Sequence, residues 1–316
     1  MLQIMSLIMN TPLCSTSYAN MGKDQCFLVP GMIKGAIAIP KTKYFTAADV
    51  ADFKTVLQAL TLEATVSERI FPLFRFEAIE DGSEDATIES LGYGGKAYVR
   101  EGSYDFKFRY VDGGACLNKV LHGSELSQYK WLLVDSNNVI FGTINSDGYL
   151  AGLTTNFVQA LPMKFNDGSA SPMFRVQFNF SKPSELNKDM GYVQCDFDVE
   201  QEVKGLIDLE IREVASIEDS ITVQVLTNCG KIDLYDTYAD ELADATMWTL
   251  TKAGVTVAIS GVTKDTTNKG WTLAFTGSGD HVVGLTTPDL LAAADIGGYP
   301  GNGYEGIELT VDASGS

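Results

Sequence analysis

The sequence predicts a mainly β protein: a β-sandwich or barrel core with one or two flanking helices, followed by a C-terminal immunoglobulin-like β-sandwich. Three observations carry this. Period-two apolar alternation recurs along the chain, most cleanly in MFRVQFNF, where Phe174, Val176, Phe178 and Phe180 share one face. The connectors between such runs are rich in Asn, Asp and Gly, the residues that accept positive φ in tight turns. Aromatics are plentiful, with 16 Phe and 13 Tyr, as pleated sheets prefer.

The 316 residues suffice for two domains, and a 45% hydrophobic content is ample for buried cores. We expect an N-terminal arm over residues 1–20, a β-rich assembly domain over 21–215 and the Ig-like domain over 216–316. The apolar stretch Met1–Met9 is short and follows no basic residue, so it reads as an arm packing on a neighbouring subunit rather than as a secretory signal. No run of 18 apolar residues suggests a membrane span.

Residues 26–40 are apolar and punctuated by Gly and Pro, hence extended. A helix over Thr46–Leu62 is predicted next. Thr46 caps it with Asp49 three residues on, and Val50, Phe53, Leu57 and Leu60 form an apolar stripe. Strands Tyr93–Val99 and Tyr104–Tyr110 read as a hairpin about the turn Glu101-Gly102-Ser103. A second helix is expected over Ala115–Tyr129. Strands follow at Trp131–Val134, Val139–Ile144, Phe157–Phe165, Phe174–Phe180, Tyr192–Val199 and Leu206–Val214. The last domain reads as strands Ile221–Leu226, Met247–Leu250, Val255–Gly261, Trp271–Thr276 and Gly306–Val311, with a short helix at Pro288–Ala294. Strands at this spacing over about 100 residues suit an Ig-like sandwich, without its Cys…Trp…Cys signature.

The chemistry-bearing residues argue against an enzyme. The two histidines, His122 and His281, have no metal-ligand spacing; His122 suits a helix C-terminus and His281 a turn. Asp135, Asn137, Asn145 and Asp147 lack the EF-hand pattern and read as hairpin turns. The glycine clusters at 92–95 and 297–303 lack the lysine of a phosphate loop. Five cysteines, an odd number with no C-x-x-C pair, argue against a disulfide framework and suggest reduced thiols and a protein made in the cytoplasm, leaving room for one isolated disulfide between distant cysteines. Neither a cofactor nor a metal is expected.

The charge balance, 41 acidic against 23 basic residues, gives a net −18. Nucleic-acid binders present a basic face, so phosphate-backbone binding is disfavoured, and so is an anionic membrane. Two windows concentrate the acids: 77–101, with seven acids, and 185–219, with eleven. Asp196 and Asp198 fall on one face of an expected strand.

IPKTKYFTAADVADF, FEAIEDGSEDATIESLGYGGKAYVREG, GGACLNKVL, VDSNNVIFGTINSDGYLAG and FNFSKPSELNK together resemble virion structural proteins of tailed bacteriophages, in the style of phages of gut Bacteroidota. The resemblance spans roughly residues 31–187. It implies a virion component and does not by itself choose between tail and head; the mixed β core with the Thr46–Leu62 helix and the acidic windows favour a tail-tube (major tail) subunit that self-assembles into rings or tubes, hexameric rings among them. Partners would be other virion proteins, with genome DNA as passing cargo. The location would be the virion, assembled in the bacterial host cytoplasm. Glu84, Asp85, Asp196 and Asp198 are candidates for an acidic lumen lining that repels DNA phosphates. The alternative is a head decoration or adhesin-type protein that contacts glycans or a host surface through the Ig-like domain. Trp271, Tyr299 and Tyr304 would then be aromatic platforms, although a strand Trp flanked by apolar residues is more often core.

Overall fold

A computed structural model describes residues 30–111, 113–165, 168, 173–298 and 301–313. The expected arm, residues 1–20, lies outside them. The chain is mainly β and divides into two compact units, one reaching Leu57 and resuming over Ser67–Val203, the other comprising Gln58–Val66 and Lys204–Ser316. The division therefore falls at Val203, earlier than the expected 215. The physical reason is a single strand, Leu206–Ile217, which runs unbroken through the expected boundary.

In chain order the first unit's strands are β1 (Ile33–Pro40), β2 (Tyr44–Phe45), β3 (Phe71–Phe74), β4 (Phe76–Asp81), β5 (Thr87–Ser90), β6 (Lys96–Arg100), β7 (Tyr104–Tyr110), β8 (Tyr129–Asp135), β9 (Val139–Ile144), β10 (Leu150–Ala151), β11 (Thr155–Lys164), β12 (Met173–Phe180) and β13 (Met190–Gln194). The larger sheet runs β2-β10-β9-β8-β1-β3 with β13 added beside β9, and a four-stranded sheet runs β11-β12-β7-β4. The two sheets share one core. Ala36, Ala38, Trp131, Leu133 and Phe141 come from the larger sheet; Phe108, Tyr110, Val158 and the Phe174–Phe180 alternation come from the smaller. The ring of Trp131 stands edge-on to Phe178 at 4.7 Å, and Phe76 stacks on Phe108 at 4.5 Å. Each such side chain contributes about 1.5–3 kcal/mol by leaving water.

The larger sheet is buried on both faces. Ile37 and Ile39 are fully buried, with parity opposite to the core-facing alanines. The predicted first helix forms with a complete capping box: Thr46 Oγ1 accepts from the Asp49 amide, and the Asp49 carboxylate accepts from the Thr46 amide at 2.7 Å. It breaks at Asp52 (φ −129°, ψ 49°), giving α1 (Ala47–Ala51) and α2 (Phe53–Thr61). Phe53 packs edge-on against Phe45, and Leu57 is fully buried.

The expected hairpin between 93 and 110 does not form. Instead β7 pairs with β4 and β12, while β6 pairs with β5. Gly102 lies against the Glu84 carbonyl, where a Cβ would sit at 2.2 Å, so the 101–103 segment docks on residue 84 rather than closing a two-strand turn. The second helix is also shorter than expected, α3 (Gly114–Gly123), with a separate 3-10 turn at Leu126–Gln128. The strand expected over Tyr192–Val199 ends at Gln194, and Asp198 caps a short helix, α4 being Pro183–Asn187 and α5 Val199–Glu202.

The second unit contains β14 (Leu206–Ile217), β15 (Ser220–Thr227), β16 (Trp248–Lys252), β17 (Val255–Thr256), β18 (Gly261–Asp265), β19 (Gly270–Ala274), β20 (Asp280–Leu285), β21 (Gly303–Ile307) and β22 (Leu309–Asp312). One sheet runs β18-β19-β15-β14-β21, with β14 and β21 parallel; the other runs β17-β16-β20-β22. Trp248, Trp271, Leu273, Val283 and Val311 fill the core between them. Two expected strands are each split, at 257–260 and at Glu308, and β20 went unanticipated. His281 lies on that strand, fully buried, with Nδ1 2.7 Å from the Gly279 carbonyl, rather than in a turn.

Candidate assembly surface

The four-stranded sheet of the first unit presents one face to the core and a polar face outward. On that outer face Gln177 donates to both Asp105 carboxylate oxygens (2.8 and 2.9 Å), and Asn179 donates to one of them at 3.1 Å. Arg109 stands opposite Arg175 in the ladder, with Glu77 3.7 Å from the first and Glu80 3.9 Å from the second. Opposed cations on neighbouring strands repel, and these carboxylates offset that.

The two edges of this sheet differ. At β11 the Val158 amide donates to Ser127 Oγ (3.1 Å) and Pro162 lacks a donor, so this edge is partly blunted. At β4, Glu77 through Asp81 are exposed, Ile79 among them. The chain continues from this edge into the β5–β6 hairpin.

That hairpin is exposed along both strands except at the half-buried Ala97. Ile88 and Tyr98 form a cross-strand pair, and both are more than half exposed, as are Leu91 and Val99. At the tip, Tyr93 is fully exposed and adopts φ 62°. A bulky residue in the left-handed region is strained, and here no packing compensates it. The base is held by Arg100, which donates to Thr87 Oγ1 (3.0 Å) and to Glu84 (3.1 Å), and by paired backbone bonds between Glu84 and Ser103. Two-stranded ribbons are marginal in water without a surface to cover them.

The residues expected to line a lumen do not form one cluster. Glu84 and Asp85 sit at the hairpin base, Glu84 in an ion pair with Arg100. Asp196 lies in an exposed bend, and Asp198 accepts from the Gln201 amide as a helix cap at 3.2 Å. Trp271 is fully buried, its Nε1 donating to the Ala239 carbonyl (3.1 Å), so it is no exposed platform. Tyr304 is half-buried against Tyr238, and burial pushes its phenol up to about 12. Tyr299 lies outside the described residues.

The turn candidates are structural. Asp135 is buried and accepts from the amides of Gly31, Asn137 and Val139 at 2.7–2.9 Å. Asn145 likewise accepts from the Asp147 and Tyr149 amides. Among the described residues no group of three or more His, Cys, Asp or Glu could hold a metal ion, and no helix is long and apolar enough to cross a membrane. Cys116 and Cys229 are disulfide-bonded rather than reduced, the pairing of distant cysteines that the sequence left open, and Cys195 alone among the described residues is free. Burial, reinforced by Asp196, pushes the Cys195 thiol up to about 12. An odd cysteine count leaves at least one thiol outside any intramolecular pair, and the absence of a C-x-x-C motif does not exclude pairs distant in sequence.

No family model matches the sequence, and no curated protein is found as a relative.

Proposed function

We propose that this chain is a self-assembling structural subunit of a phage virion, of the tail-tube type, without an active site. The observation that carries the reading is the open β4 edge followed directly in the chain by the exposed β5–β6 hairpin. Together they display Ile79, Ile88, Leu91, Tyr93, Tyr98 and Val99. Soluble monomers rarely leave such apolar clusters to water, and an open strand edge beside one is a template for a neighbouring chain. A head-to-tail contact of this kind closes into rings when its rotation permits. The net charge of −18, with Glu84 and Asp85 beside the hairpin, supports passage of DNA without adhesion. The second unit supports an Ig-like assignment by strand order: β18-β19-β15-β14 opposite β17-β16-β20-β22 corresponds to the DEBA and C′CFG sheets of that architecture. Disulfides at Cys116 and Cys229 suit a particle that, once assembled, leaves the reducing cytoplasm.

The test is mass determination with negative-stain electron microscopy of the full chain. Rings or tubes are expected from the wild type. The triple variant Ile88→Ser, Tyr93→Ser, Tyr98→Ser is expected to remain folded and monomeric. A wild-type chain that stays monomeric at high concentration overturns the reading.

A further inference from the structure

Two open strand edges of the first unit carry opposite charge. β4 ends the four-stranded sheet, so its outer edge has no ladder partner among the described residues. Its sequence, FEAIED, holds Glu77, Glu80 and Asp81 and no cation. β6 pairs with β5 alone, so its outer edge is open as well. Its sequence, KAYVR, holds Lys96 and Arg100 and no carboxylate.

Charge decides which of these edges can meet. Antiparallel pairing of two β4 strands about Ile79 sets Glu77 opposite Asp81, and pairing of two β6 strands about Tyr98 sets Lys96 opposite Arg100. Like charges directly opposite destabilise a ladder, so each edge is guarded against its own copy. β4 against β6 reverses the sign. In the antiparallel register that places Ile79 opposite Tyr98, Asp81 faces Lys96 and Glu77 faces Arg100. A slip of one residue moves Tyr98 to the face away from Ile79, and a shift of two in either direction loses both charge pairs. The parallel arrangement about the same apolar pair would match Glu77 with Lys96, but the antiparallel ladder is the more stable per residue. The apolar pair gains too: Ile79 is 39% and Tyr98 63% exposed, and Ile88 stands beside Tyr98 on the same hairpin face. Arg100 already donates to Glu84 and Thr87, and its remaining N–H groups can serve a second carboxylate.

We infer that β6 of one copy adds antiparallel to the β4 edge of the next, with Ile79 opposite Tyr98. This pairing rests on the self-assembly proposed above and names the two surfaces that meet. It continues the four-stranded sheet into the neighbour's β6 and β5. The contact joins unlike surfaces, so every copy keeps one acidic and one basic edge for its two neighbours, the head-to-tail rule that closes rings.

The experiment mixes two full-length chains, one carrying Ile79→Cys and the other Tyr98→Cys, under mild oxidation, with wild type giving the background from the native cysteines. The mixture is expected to yield a disulfide-linked dimer on a non-reducing gel, and either variant alone only the background. Charge reversal reads the register. Asp81→Lys and Lys96→Glu, both at exposed positions, are each expected to weaken assembly at least about tenfold in sedimentation. Combined in one chain they are expected to restore it to within about threefold of wild type. If wild type forms rings or tubes while the mixture gives no link above background, the inference is overturned and the self-assembly reading stands. The same holds if the combined variant assembles no better than the single ones. A wild type that stays monomeric at high concentration overturns both.

Discussion

Asp135 shows how a residue with the look of a ligand becomes a structural pin. Its buried carboxylate accepts three backbone amides across the β8–β9 turn and from Gly31. Asp135→Ala leaves those donors without their acceptor and is expected to cost about 3 kcal/mol, read from urea denaturation. Cys195 gives a pH prediction. Its thiol ionises near 12 in the folded chain against a reference of 9.0. Between those values the unfolded chain has lost the proton and the folded chain keeps it, so stability falls as pH rises through that window. Native Cys195 should therefore resist iodoacetamide at pH 8.5, and rapid alkylation of the folded chain would contradict its burial.

At the scale of elements, the β5–β6 hairpin is the unusual one. Tyr93 adopts a backbone conformation that glycine tolerates, and its ring meets solvent. Tyr93→Gly is expected to leave the fold intact and to raise its stability by about 0.5–1 kcal/mol, while weakening assembly. A calorimetric scan beside sedimentation would separate the two effects. Retained assembly in this variant would place the contact elsewhere on the hairpin. The pairing of this ribbon was not legible beforehand. Alternation marks a strand and its buried parity, and both hold for β7, but it does not name the neighbour. Here Gly102 and the Glu84–Ser103 bridge select β4 for β7.

For the molecule as a whole, the second unit needs more chain than its expected boundary provides. A side chain at Gly303 would meet Leu62 at 2.6 Å and Leu206 at 2.7 Å, so segment 58–66 and the start of β14 pack together in this unit. A fragment of residues 216–316 lacks the Leu206–Glu210 stretch that pairs with β21. It is expected to give the broad amide spectrum of an unfolded chain, and a folded fragment would refute that dependence. Reduction provides a second test. Breaking the disulfide bonding of Cys116 and Cys229 is expected to lower stability by roughly 2–4 kcal/mol per bridge, seen as a drop in Tm with added reductant.

What the sequence by itself determined was local. The β class, the capping box at Thr46, the turns at Asp135 and Asn145 and the core parity of Phe174–Phe180 all follow from neighbours a few residues apart. Backbone propensity and side-chain periodicity act over that range. The tertiary structure decided the rest: which strands pair, where the units divide, that Trp271 and His281 are buried, that Cys116 and Cys229 are bonded, and that Asp196 and Asp198 stand on no common strand face. Those outcomes depend on which surfaces meet after distant segments come together, a choice made by packing and strand register across the whole chain.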